Sequence, residues 1–207
     1  MSILSELSST QGRKDEVPNQ ELAQKIANNG DTDAIQELID NLSNKSKGIQ
    51  NDCIKVLYEI GECEPGLIST YSDTFLELLN SKNNRLQWGG MTALACITPV
   101  VPGRIHSFIP SILDAAEKGS VITRDQAIHI LIALASISDY TEDMLSLLAE
   151  QLLSCPVNQL AMYAERIQPV INESNKERFI TILQERYYGL EKESRKKRIA
   201  KVIKKLS

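Results

Sequence analysis

Aromatic residues are scarce in this 207-residue chain, with one Trp, six Tyr and three Phe, and glycine and proline number only 10 and 7. β-Sandwiches and barrels draw on aromatic and β-branched strands joined by frequent turns, so this composition speaks for helix. No uninterrupted apolar run approaches the roughly 18 residues that a membrane-spanning helix requires, which excludes a transmembrane protein. The start, Met1-Ser2-Ile3-Leu4-Ser5-Glu6, lacks the basic opening, apolar stretch and small-residue cleavage site of a secretory signal, and a cytoplasmic protein is expected. Cys53, Cys63, Cys96 and Cys155 form no CxxC pair and no Cys/His cluster, and they read as small buried hydrophobes.

Motifs that carry chemistry are missing as well. No GxGxxG or Walker-type loop offers a cradle for phosphates, and His106 and His129 cannot supply an HExxH or a histidine-rich metal set. No cofactor, metal or catalytic residue is expected. The only Gly-Gly pair, Gly89-Gly90, falls in a helical stretch. There each glycine costs about 1 kcal/mol relative to alanine, so the pair serves either close packing or a partner's approach to the backbone.

What the chain does have is a core and a period. With 42% apolar and 24% charged residues it can bury a sizeable interior. Gln50, Cys53, Leu57 and Ile60 recur 37 residues later as Gln87, Gly90, Leu94 and Ile97, and again as Arg124, Ala127, Leu131 and Leu134. Two steps of 36 continue the series through Leu160, Tyr163, Ile167 and Val170 to Lys196, Ile199, Ile203 and Leu206. The spacing of 3, 4, 3 within each copy is one stripe of an α-helix. A second stripe precedes it at nearly the same period: Leu38, Ile39 and Leu42, then Phe75, Leu76 and Leu79, then Ile112, Leu113 and Ala116, then Leu148, Ala149 and Leu152, with Leu183 and Tyr187 in the last copy. Turn formers separate the stripes, among them Glu64-Pro65-Gly66, Lys118-Gly119 and Cys155-Pro156.

The expected fold is therefore all-α, five antiparallel helical hairpins near residues 31–63, 67–98, 103–137, 141–171 and 174–206. Each leaves an apolar face that a neighbour must cover. Residues 1–18 read as an irregular lead-in, and 19–207 as the array, opening with a helix near Asn19–Asn28 that Asn29-Gly30 stops.

The register resembles the HEAT/armadillo-like helical-repeat family. Its closest match is the third copy, with Pro110 in the first helix and Val121-Ile122-Thr123-Arg124 leading into the second. The other copies lack the Arg, and most lack the Pro. The resemblance implies a right-handed α-solenoid whose second helices line a concave surface that holds a protein, a peptide or a nucleic acid. His106 precedes Ser107 and His129 precedes Ile130, so the His-Glu dipeptides of the family's di-iron hydroxylases are not present.

Aligned copies also separate core from surface. Columns apolar in every copy are expected inside, including Ile54, Met91, Ile128, Ala164 and Ala200. Two columns are largely polar: Lys55, Thr92, His129, Glu165, Lys201, and Asn51, Trp88, Asp125, Ala161, Lys197. A tryptophan in a polar row is either a binding anchor or a side chain tucked against Met91 and the preceding hairpin. His129 reads as a solvated or partner-facing imidazole, with Asp125 one turn before it.

Charge is unevenly spread. Residues 192–207 carry eight cations and one acid, a net of +7, so the rest of the chain holds −11 of the overall −4. That final amphipathic helix reads as a polar cap or as a surface for an acidic partner, RNA or an anionic membrane. The reading is a non-catalytic protein-interaction module or scaffold whose partner touches Trp88, Thr92, Asp125, His129, Glu165, Arg198 and Lys201. The alternative is a nucleic-acid-binding relative of DNA alkylation-repair glycosylases, with Arg124 and Asp125 as candidates, which the acidic body disfavours.

Overall fold

The computed structural model describes residues 2–207, among which there are twelve α-helices and no strand. Tertiary contacts group the chain into two compact units, Met1–Ala127 and Ile128–Ser207, with the boundary inside the helix Val121–Ala135.

The first unit opens with a short 3-10 turn, Ile3–Glu6, followed by α1 (Val17–Asn29), which starts two residues earlier than the sequence suggested. Pro18 stands in the first turn of α1, where an absent N–H forfeits no helical bond. Gly30 ends the helix in the left-handed conformation at φ 60°. Its N–H donates to the Ala27 carbonyl and that of Asp31 to the Ile26 carbonyl. Asp31 then caps α2 (Thr32–Asp40), its carboxylate accepting from the Ala34 N–H at 3.0 Å.

The hairpin α2–α3 (Lys47–Cys63) is followed by α4 (Ser72–Leu78) and α5 (Asn84–Ile97). Helix α3 packs against α1 on one flank and α5 on the other, so α1, α3 and α5 form a row of second helices. The third copy begins with α6 (Pro102–Ser107) and α7 (Ile109–Lys118), a first helix broken at Phe108, with Pro110 starting the new turn. Its second helix is α8 (Val121–Ala135).

One repeat column acquires a common role in this unit. The side-chain amides of Gln50 and Gln87 donate to the carbonyls of Asn44 and Leu79, and Arg124 donates to those of Ala116 and Glu117. In each copy the second helix thereby satisfies carbonyls at or beyond the end of the first, which have no intrahelical partner.

Gly89 and Gly90 serve packing. A Cβ on Gly89 would stand 2.6 Å from Ile54 Cγ1, and one on Gly90 would stand 2.9 Å from Leu78 Cβ and 3.0 Å from the Phe75 carbonyl. The glycines let α5 settle onto α3 and α4 at distances that alanine would forbid.

The second unit holds the remainder of α8, the hairpin α9 (Thr141–Ser154) and α10 (Val157–Ile167), and the hairpin α11 (Lys176–Tyr187) and α12 (Glu193–Leu206). First helices α9 and α11 pack together, as do second helices α10 and α12. The capping column carries Leu160 in this hairpin, and the carbonyls ending α9 are met from the next first helix instead. Arg186 of α11 donates to Leu152 and Cys155 at 2.8 and 2.7 Å, and to Leu153. At the other end of α9, Glu142 accepts from Asn172 and Asn175, and these bonds hold its carboxyl below the usual carboxylate range.

The columns of Leu57 and Ile54 are buried through four copies, while that of Ile60 is buried through three and reaches a half-buried Val170 in the fourth. Leu57, Leu94, Leu131 and Ile167 are each 0% exposed, and Ile54, Met91, Ile128 and Ala164 are at most 1% exposed. The fifth copy departs from the expectation: Ala200 is exposed and Ile203 half-buried. The cysteines also divide, Cys53 and Cys155 being buried while Cys96 is half-buried and Cys63 exposed at the end of α3. Burial pushes the Cys53 and Cys96 thiols up to about 12, which keeps them protonated. Among the described residues, no single helix is long and apolar enough to cross a membrane.

Candidate partner-binding surfaces

In the first unit Trp88 is half-buried on α5 and lies against Tyr58 of α3, the ring centroids 5.8 Å apart and the planes tilted by 46°. It is thus tucked against the preceding hairpin while part of its indole stays in contact with water. The Arg85 guanidinium covers the indole at 4.6 Å, and its far side pairs with Glu16 at 2.6 Å. Arg85 Nε and Glu16 Oε2 are left buried without a hydrogen bond.

On the other flank, Lys55 lies 4.9 Å from the Tyr58 ring centroid and pairs with Glu59 one turn on. Burial alone would lower the Lys55 pKa, but its bonds to Glu59 and Tyr58 outweigh that and raise it. Burial raises the Tyr58 phenol, and Lys55 and Arg85 oppose the rise. The result is two adjoining rings between two cations, closed by a carboxylate at each end; Tyr58 and Lys55 are buried, so Trp88 and Arg85 are the part that can stack and pair with a partner.

Thr92 does not belong to that surface. It is 6% exposed, and its hydroxyl donates to the Trp88 carbonyl at 2.9 Å, four residues back. Lys55, from the same polar column, is 8% exposed. A threonine that satisfies itself on its own helix can be buried, so polarity of type did not give exposure here. Asp125 is half-buried on α8, and Arg124 is committed to the end of α7.

A further recess in this unit lies elsewhere, beside the first helices α4 and α7. It is an open groove of about 820 Å³ lined in part by Asp73, Glu77, Arg104, Phe108, Asp114 and Lys118. Arg104 stacks on Phe108 at 4.4 Å and pairs with Asp73 at 2.6 Å, while Lys118 pairs with Asp114. Column analysis missed this groove because it concerned second helices; the broken helix at Pro110 was the available signal.

In the second unit Glu165, Arg198 and Lys201 are exposed and His129 is half-buried. The structure brings Glu165 of α10 and Arg198 of α12 together in a two-pronged pair at 2.8 and 2.6 Å, which lowers the Glu165 pKa. Lys201, one turn beyond Arg198, adds to the positive potential at Glu165. Across α12 the cations outnumber the two carboxylates they pair with, Glu165 and Glu193, and the surface is cationic.

No protein-family model matches the sequence, and no curated protein matches it. Solved structures do resemble the fold. A designed armadillo repeat protein shares 13% identity at a TM-score of 0.63, the match covering 93% of each chain. A second designed armadillo repeat protein, solved in complex with a (KR)4 peptide, shares 14% identity at 0.65, covering 99% of this chain and 98% of that one. An engineered protein shares 15% identity at 0.60, covering 100% and 97%. The fold is an all-α, armadillo/HEAT-like helical-repeat fold of the solenoid class.

Proposed function

We propose that this chain is a cytoplasmic, non-catalytic binding module that holds a peptide or protein segment on its second helices. Support for a repeat scaffold comes from the fold and from the peptide bound by one of its structural neighbours. The observation that carries the choice of face is Trp88, a half-exposed indole lodged between Tyr58 and Arg85. Aromatic and arginine side chains of this kind dominate binding energy when a partner completes their burial. In the first unit the contacts are Trp88, Arg85 and Asp125. In the second they are His129, Glu165, Arg198 and Lys201, where the cationic surface suits an acidic stretch of the partner. Thr92 is withdrawn from the set because it is buried.

A partner carboxylate that reaches Trp88 takes the place of Glu16 on Arg85. Peptides selected from a random display library on the intact protein, fluorescently labelled and titrated by anisotropy, test this. Trp88→Ala is expected to weaken them about tenfold, and Glu16→Gln to tighten the acidic ones by releasing Arg85. Equal affinity for wild type and Trp88→Ala across the selected peptides would place the binding face elsewhere.

A further inference from the structure

The last hairpin ends in a face that the repeat pattern has not closed. In the inner copies the columns of Leu57 and Ile54 are sealed, yet their last members, Ile203 and Ala200, are half-buried and exposed. Beside them, Tyr187 at the end of α11 is half-buried and Tyr188, in the turn that follows, is 87% exposed, with the two rings edge to face at 6.0 Å. Gln184, Tyr187, Tyr188, Ala200, Ile203 and Lys204 line a groove of about 280 Å³ between the two helices. A repeat face left to water is expected to be polar, and two tyrosines, an alanine and an isoleucine do not make one.

Charge selects the occupant. Residues 184–207 contain nine cations and three acids, Glu185, Glu191 and Glu193, and Glu193 is already paired with Lys196. Two copies meeting through this face would set cationic helix against cationic helix. The front of a second copy offers little apolar match, since beyond Val17 in its first turn the exposed row of α1, Gln20, Glu21, Gln24, Lys25 and Asn28, is polar. What remains is a helix, the shape that covers these columns in every inner copy, with an apolar stripe for the groove and acidic flanks for Lys197, Lys201 and Lys204.

We infer that the α11–α12 edge docks an acidic amphipathic helix of a partner protein, seated on Tyr188, Ala200 and Ile203 and flanked by the lysines of α12. It shares Lys201 with the second-unit contacts named above and no residue with the cluster around Trp88, on which it does not depend.

The test uses the full chain and a labelled synthetic helix of about 18 residues, leucines at i, i+3, i+4 and i+7 and glutamates on its flanks, with a scrambled isomer of equal composition. Binding by anisotropy should favour the ordered peptide and weaken as salt rises. Tyr188→Ala should reduce affinity about tenfold, and Ala200→Glu should abolish measurable binding through bulk and charge in the groove. Trp88→Ala should leave it unchanged. Because Tyr188 is 87% exposed, its removal leaves the thermal melt in place, which separates lost docking from lost fold. Equal binding of the scrambled isomer, or full affinity in Tyr188→Ala, overturns the proposal. So does an RNA oligomer or an anionic vesicle that shows the Tyr188 dependence while the peptide fails to bind.

Discussion

Helices α1 and α12 flank the repeat series and meet water differently. Helix α1 buries Leu22, Ala23, Ile26 and Ala27 and turns outward a row that is polar beyond Val17 in its first turn. Helix α12 buries Ile199, Val202 and Leu206, yet its outward row still carries Ala200 and Ile203 of the repeat register among the lysines. The first helix has abandoned the repeat's chemistry on its free side, whereas the last has kept it. A repeat pattern specifies what each copy offers to its neighbour, and α12 keeps that offer on its outward row while α1 does not.

The sharpest way to break this contrast is to place the same substitution at two members of one column. Ile167→Lys, at 0% exposure, would bury an ammonium without a partner and should cost more than about 4 kcal/mol or prevent folding. Ile203→Lys, at the half-buried end, should cost less than about 1 kcal/mol, because lysine can extend into water there. Urea denaturation followed by circular dichroism measures both, and comparable losses would mean that the outer side of α12 is already covered.

A smaller effect is expected at the other end. Gly30→Ala forces a side chain into the left-handed cap of α1 and should cost about 1 kcal/mol in the same assay, with space not at issue because nothing lies within 4 Å.

Acid titration should produce the smallest effect. The Glu165 carboxyl is held below its unfolded value by Arg198, so the pair stabilises the fold above the unfolded carboxylate pKa and that contribution disappears as pH falls through the folded value. Both side chains are more than 40% exposed, and the contribution is a few tenths of a kcal/mol. Glu165→Gln should therefore flatten the acid limb of the stability curve only slightly. A large change would show that the tether of α12 to α10 matters more than its exposure allows.

Much of the fold could be read from the spacing of aliphatic residues, since Leu57, Leu94, Leu131 and Ile167 occupy one column and share one fate. The candidate surfaces were less legible, for two physical reasons. Thr92 and Lys55 are polar by type but buried, one bonded to its own helix and the other to Glu59 and the Tyr58 ring, and a column of letters does not record such local partners. Ala200 is apolar by type but exposed, because its burial depends on a neighbour rather than on itself. Tyr187 could be read as part of the last stripe, whereas Tyr188 went unnoticed for the same reason, as only the position of the edge gives it meaning.

The single tryptophan has one more consequence. All indole emission from this protein arises at the α3–α5 contact, with Tyr58 close enough to pass its excitation to Trp88, while the second unit contains no tryptophan. Emission therefore follows the first unit alone, and far-ultraviolet dichroism follows every helix in both. Superposition of the two denaturation curves would show that the units melt as one cooperative body. A gap between them would give the stability of each unit from a single unlabelled sample.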